Sequence, residues 1–366
     1  MRKTSGGALG HVVGFATQGS GHGDEARLEA LLGELEAEIF PFDRASKAGS
    51  ARSLLWALIR KRPHLVVMEG TGVAGGLSLI AAKMLADVPY VVSSGDAVGP
   101  YVGLSHRLLS PVAALYERIL CRLSAGYVGW TPYLVGRALS FGAPRAMTAA
   151  GWSAPARFED RALRRRELGI PEDAVVFGLV GSLEWTEGIE YCYGLELVRA
   201  ALGVDRDDLR VVVVGDGTGL NRLRTLAGEE DGERILFPGR VPKEQVTSYL
   251  TAFDVASLPQ SVDRVGSFRY TTKISEYLAA GLPLVTGQIP LAYDLDDGWI
   301  WRLAGESPWD PDYISSLAEL MRSLTPAELQ QRRERVPAQS PLFDRELQVR
   351  RATDFLNDIA RSKRPR

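Results

Sequence analysis

The sequence predicts an α/β protein made of two Rossmann-like, doubly wound domains that face each other across a cleft. Three observations lead there. Short apolar runs alternate with helical patterns along most of the chain. The runs lack the polar alternation of a half-exposed sheet, which is the mark of parallel strands covered on both faces. The alternation breaks between Gly151 and Arg166 and then starts again, so two series of similar size follow one another.

In the first series, Val12 to Ala16 is a strand that runs into the glycine-rich loop Gly19-Ser20-Gly21-His22-Gly23. A helix is expected from Asp24 to Leu35, a strand from Ile39 to Phe42 and a helix from Leu54 to Arg60, stopped by Pro63. Leu65 to Met68 and Pro89 to Ser93 read as buried strands around a small-residue helix, Leu77 to Leu85. A helical region from His106 to Leu123, a strand from Tyr127 to Trp130 and a helix from Pro132 to Ser140 complete it. Pro155 and the arginines between Arg161 and Arg166 look like a connector followed by a solvated helix face, which places the domain boundary near residue 155.

The second series has strands at Ala174 to Val180, Leu209 to Val214, Ile235 to Phe237, around Asp254 to Pro259, and at Leu284 to Thr286. Helices are expected from Glu190 to Leu202, Leu220 to Ala227, Lys243 to Thr251 and Thr272 to Ala280. The expected division is residues 1–155, 156–345, and a C-terminal helix or tail, 346–366, that packs back on the first domain.

Composition narrows the classes. Hydrophobic residues make up 45% and charged residues 24%, as in globular proteins. The net charge of −2 gives no global attraction to nucleic acid. Cys121 and Cys192 are too far apart in sequence for a metal or redox motif, which suits a reducing compartment. The start Met1-Arg2-Lys3 is not followed by an apolar segment, so no signal peptide is read there. The expected location is the cytoplasm. The apolar segment from His106 to Tyr127, with Arg107, Arg118 and Arg122, reads as core packing with exposed arginines, or as a peripheral contact at the inner membrane face. Asp205-Arg206-Asp207 falls between a helix and the start of a strand and is taken as a solvated loop.

The motifs of the second series come in a fixed order. They are Val176 to Ser182 with Gly188, Val213-Val214-Gly215-Asp216-Gly217, Phe237-Pro238-Gly239-Arg240-Val241, Asp254-Val255 with Leu258-Pro259, and Lys273 to Val285. In this order they resemble the retaining glycosyltransferases of family 4, the group 1 glycosyltransferases with the GT-B fold. The resemblance covers roughly 110 residues and implies retaining transfer from a nucleotide diphosphate sugar, by front-face displacement and without a metal. The donor is then a substrate, and no separate cofactor is implied. A saccharide, a lipid-linked glycan or a small natural product would be the acceptor.

The chemistry behind these motifs is readable. A diphosphate needs backbone N–H donors and positive charge, and the start of a helix near Thr272, with Arg269 and Lys273 beside it, provides both. A carboxylate can accept from both ribose hydroxyls, the role the resemblance gives to Glu276. Helical spacing puts Lys273 and Glu276 on one face, with Ile274 and Leu278 on the buried side. Gly181, Ser182, Gly215 and Arg240 complete the expected donor site. The family's first-loop basic pair is replaced here by a stretch with Glu184 and Glu187, which makes Arg240 and Lys243 substitute cations. Where the family often has a histidine after the fourth strand, Ser94-Gly95-Asp96 stands; Asp96 binds a sugar hydroxyl or caps the next helix. Gly21 allows close approach of a ligand to the backbone, and His22 is a candidate for acceptor contact or proton transfer. Two rival readings remain: a nucleotide-sugar epimerase, and a non-catalytic partner that stabilises an active transferase.

Overall fold

A computed structural model describes residues 11–362 except 20, 22, 34, 36 and 153–159, and excludes the side chains of 104, 105, 107 and 243. The chain forms two compact units. One gathers the chain up to Gly151, Phe268–Tyr270 and the segment from Pro341; the other holds Trp152–Ser267 and Thr271–Ser340. We call them the first and second domains.

The first domain is built on a parallel sheet of six strands, β1 Val12–Ala16, β2 Ala37–Ile39, β3 Leu65–Glu69, β4 Tyr90–Ser94, β5 Gly126–Gly129 and β6 Ala146–Thr148, in the order β2-β1-β3-β4-β5-β6. Successive residues of a strand point to opposite faces. Val13, Phe15, Val66, Met68, Tyr90 and Val92 therefore enter one core, beneath helices Lys47–Lys61, Val73–Ala86 and Ser110–Leu123. Val12, Leu65, Val67, Val91 and Val128 enter the other, beneath helix Gly23–Leu32 and the C-terminal helix Arg345–Ser362. Thr353 of that last helix donates to the Leu31 carbonyl at 3.3 Å.

A polar network is buried at the carboxyl end of β3. Arg27 donates to the carbonyls of Ala149 (2.6 Å) and Ala150 (3.2 Å) and lies over the Trp130 ring at 4.5 Å. The Trp130 indole N–H donates to Glu69 at 3.2 Å. Burial raises the pKa of the Glu69 carboxyl, with Arg27 opposing it.

The second domain repeats the plan with β7 Val175–Val180, β8 Leu209–Val214, β9 Ile235–Gly239, β10 Val255–Leu258, β11 Leu284–Thr286 and β12 Ile300–Arg302, all parallel, in the order β12-β11-β10-β7-β8-β9. Phe177, Leu179, Val211 and Val213 pack against helices Leu195–Leu202 and Pro311–Ser323. Among the described residues, no helix is long and apolar enough to cross a membrane. Cys121 and Cys192 are buried free thiols.

Several local expectations are corrected. The helix expected from Glu190 starts at Leu195, because Thr186 and Tyr191 first form a bridge and Gly194 takes a φ of +93°. The second strand lies at Ala37–Ile39 instead of Ile39 to Phe42. The region from His106 is broken, His106 ending one helix before the next begins at Ser110. The loop Asp205-Arg206-Asp207 exposes its two acids, as expected, but the Arg206 side chain turns inward and donates to the carbonyls of Met321 and Leu324 and to Asp208.

The arginine run is the largest correction. Arg161 and Arg165 of helix Arg161–Glu167 turn inward onto Asp254, just ahead of β10. Arg165, 2% exposed, donates to Asp254 Oδ2 at 2.6 Å and to the carbonyls of Ala252, Glu172 and Ala174. Arg161 reaches Oδ1 at 2.5 Å, Arg333 reaches it at 3.3 Å, and the Val176 N–H donates to Oδ2 at 2.9 Å. Burial lowers the pKa of the Arg165 guanidinium, and Asp254 opposes that shift.

Removing one member of a buried pair strands the other charge, which costs about 3–5 kcal/mol. Asp254→Ala is expected to lower the second domain's stability by about that amount. Arg333→Gln, whose side chain is 33% exposed, should cost about 1 kcal/mol or less. Amide exchange in β7 and β10 reads both, and equal effects would show that burial of the Arg165 pair is not what matters.

A second prediction concerns Glu196, fully buried and accepting from the Tyr191 hydroxyl (2.8 Å), the Gly194 N–H (3.1 Å) and the Ser257 hydroxyl (3.3 Å). Burial pushes its carboxyl from 4.5 up to about 7. The folded state thus holds the proton more tightly than the unfolded chain. Stability from this group is complete below pH 4.5 and is lost as pH rises through about 7. The loss is roughly 3 kcal/mol. Denaturant unfolding of wild type and Glu196→Gln from pH 4 to 8 should show curves that diverge over this window; parallel curves would contradict it.

Candidate functional site

In parallel sheets, ligands bind outside the carboxyl ends of the strands. In the second domain, the loops after β7 and β8 pack backbone to backbone at that end. Gly181 N–H donates to Val214 O (2.9 Å), Leu183 N–H to Asp216 O (3.0 Å), Gly215 N–H to Gly239 O (3.0 Å) and Gly219 N–H to Leu183 O (2.8 Å). A Cβ on Gly215, whose φ is +147°, would stand 1.9 Å from the Gly181 carbonyl oxygen. Only glycine fits there.

This packing leaves a pocket of about 400 Å³ whose lining includes Val180, Gly181, Ser182, Gly215, Asp216, Gly217, Arg240 and Val241. Four of the residues expected at a donor site, Gly181, Ser182, Gly215 and Arg240, thus come together. Glu184 also lines it, but its carboxylate accepts from the Thr218 hydroxyl at 2.8 Å, and that hydroxyl in turn receives the Trp185 N–H at 2.9 Å. Glu187 pairs with Arg222 at 3.1 Å, and Arg222 lies 4.3 Å from the centre of the Trp185 ring. The two acids that stand where the family has a basic pair therefore fasten the loop.

Helix Thr272–Ala279 starts beside this pocket. Ile274, Ser275, Tyr277 and Leu278 are buried, which turns Lys273 and Glu276 toward the half-exposed side. The Tyr277 hydroxyl ties the helix to the sheet: it donates to Ser257 O at 3.2 Å and accepts from Val180 N–H at 3.4 Å. Lys273 runs over Gly181, its Cε 3.1 Å from where a Cβ of Gly181 would be. Its ammonium lies 5.0 Å from the Tyr193 ring centre, and no hydrogen bond to a described residue holds it. The N-cap residue, Thr271, makes no side-chain cap, and its hydroxyl is buried without a partner. The helix start thus lacks a side-chain cap, the kind of end that suits an anion, although the Ile274 N–H donates to the Thr271 carbonyl at 3.1 Å.

Sequence reasoning missed Tyr193, whose ring faces the Lys273 ammonium, and Gln260, whose amide donates to the Tyr193 hydroxyl at 3.3 Å. Tyr193 was hidden inside an expected helix, and the short run after β10 gave no sign that Gln260 would be buried.

The remaining expected residues lie in the first domain. Asp96 follows β4 and accepts from Arg269 at 2.6 Å, and Arg269 lies 5.6 Å from the Tyr101 ring centre. Asp96 does not cap the next helix, whose N-cap position is Ala97. Arg269, expected on a phosphate, thus pairs with Asp96. The Gly21 N–H donates to Glu25 at 2.7 Å, with φ at +80°. His22 lies outside the described residues.

Residues 160–295 match the family "Glycosyl transferases group 1". No curated protein sequence matches the chain. Among solved structures, the chain is similar to HepE (Alr3699) of Anabaena in complex with UDP and glucose, with TM-score 0.68 and 15% identity over 95% of this chain and 100% of that one. It is also similar to the sucrose-phosphate synthase of Thermosynechococcus elongatus, with TM-score 0.67 and 12% identity over 96% and 100%. A Listeria monocytogenes protein described as a UDP-N-acetylglucosamine 2-epimerase gives TM-score 0.61 and 11% identity over 98% of each chain. These likenesses concern the fold, two Rossmann-like domains. The chain thus has the two-domain GT-B fold of these structures, and the stretch that carries the pocket, residues 160–295, is similar to the group 1 glycosyl transferases.

Proposed function

We propose that the protein transfers a sugar, with retention, from a nucleoside diphosphate sugar bound in the second domain. One observation carries this reading: the Lys273 ammonium and the uncapped start of helix Thr272–Ala279 stand together beside the pocket over Gly181. A diphosphate there meets backbone N–H groups, the positive end of the helix and a lysine. Glu276, one turn on, is assigned to the ribose hydroxyls. Arg240 supplies a further cation at the rim of the pocket.

Negative charge grows on the leaving diphosphate as the glycosidic bond breaks. Lys273 and the helix start, fixed before reaction by Tyr277, stabilise that charge without reorganising. The leaving phosphate helps take the acceptor's proton, so the reading needs neither a covalent intermediate nor a metal. Asp96, held by Arg269, is assigned to a sugar hydroxyl. The UDP bound in the similar Anabaena structure supports testing uridine donors first.

The test is thermal unfolding of wild type, Lys273→Ala and Glu276→Ala with UDP, GDP, ADP, CDP and dTDP and their sugars. A ligand at about 100 times its Kd adds about 2.7 kcal/mol of stability. A shift with one base, lost in both variants, is expected. Lys273→Ala should also lower kcat by about 10²–10³ once an acceptor is found, and a chelator should not. No shift with any nucleotide would remove the donor site, and conversion of the donor sugar without an acceptor would favour an epimerase.

A further inference from the structure

The first domain has an outer surface that its core packing does not explain. Helices Lys47–Lys61, Val73–Ala86 and Ser110–Leu123 lie side by side on one face of the sheet and bury Leu54, Leu58, Leu79, Ala82, Ala113 and Leu120. Helical spacing fixes what stands at the opposite pole of each. On the first helix it is Arg52, Trp56 and Arg60, four apart; on the second, Val73, Leu77 and Met84; on the third, Leu115, Arg118 and Arg122. The turn before the third helix adds Leu108. Trp56 is 64% exposed, Met84 75%, Leu108 93% and Leu115 58%. A single exposed apolar side chain needs no account, but a surface of them across three neighbouring helices does.

The charge around these side chains is mainly positive. From Arg44 to Arg122 the chain has ten Lys and Arg against four Asp and Glu. None of the four acids offsets the outer face. Glu69 and Glu117 are buried, Asp87 is bonded to Lys83, and Asp96 to Arg269. Arg52, Arg60, Arg118 and Arg122 are exposed and form no ion pair among the described residues.

We propose that this face docks the protein on an anionic lipid bilayer. Leucine, methionine and tryptophan side chains would enter the boundary of the headgroups, while the arginines meet lipid phosphates. A second copy of the chain is the poorer occupant. A symmetric pairing would set this basic patch against its own copy, and the exposed carboxylate on it, Asp87, is already bonded to Lys83. The proposal does not depend on the donor site.

The experiment is co-sedimentation with vesicles of phosphatidylcholine alone and of an equimolar mixture with phosphatidylglycerol. Two exposed-face variants are compared with wild type, Leu108→Glu/Leu115→Glu and Arg118→Gln/Arg122→Gln. Wild type should pellet with the mixed vesicles and be released by high salt. The arginine variant should partition about 30-fold less, the loss expected for two basic residues at an anionic surface. The leucine variant should also lose binding, with both keeping the wild-type melting temperature. No pelleting, equal pelleting with neutral vesicles, or variants that bind like wild type would overturn the proposal. So would a dimer in sedimentation velocity that the leucine variant abolishes, which would give the face to a second copy.

Discussion

The second domain depends on one buried carboxylate. Asp254 stands ahead of β10, at the end of the sheet away from the pocket, and accepts from three arginines and a backbone N–H. Each arginine comes from a helix far away in sequence, so one side chain joins the start of the domain, its central strands and helix Pro326–Arg335. A buried carboxylate without these donors would be costly, and so would Arg165 without the carboxylate. That mutual requirement fixes β7 and β10 at their amino ends. Their carboxyl ends are then held in place for the loops that form the site.

At the carboxyl end the governing constraint is steric. Gly215 and Gly181 let two loops touch through their backbones, and the same absence of a Cβ at Gly181 gives Lys273 room. Tyr277 fixes the helix that presents Lys273 and Glu276. The acids of the β7 loop are already engaged with Thr218 and Arg222. Their negative charge is therefore partly answered by the protein, and they work as fasteners.

The first domain uses its polar groups differently. Beneath the carboxyl end of β3, Glu69 and Arg27 are buried beside the half-buried Trp130. Its surface charge is displaced outward onto helices that also expose apolar side chains. The interior is thus costly to alter and the outer face cheap to alter, which makes that face open to direct test by substitution.

The sequence by itself determined the parallel sheets, because strands buried on both faces need unbroken apolar runs such as Leu209 to Val214. It also determined the gathering of Gly181, Ser182, Gly215 and Arg240, since the order of parallel strands brings their following loops to one end. Edge strands such as β6 and β12, three residues each, were too short to carry a pattern. Only the tertiary structure decided the fate of the charges. Arg161 and Arg165 looked solvated in sequence and are drawn onto Asp254, while Arg269 meets Asp96, 173 positions away. Periodicity records which face of an element is apolar, but a charged side chain's partner is set by which distant elements the fold brings within hydrogen-bond reach.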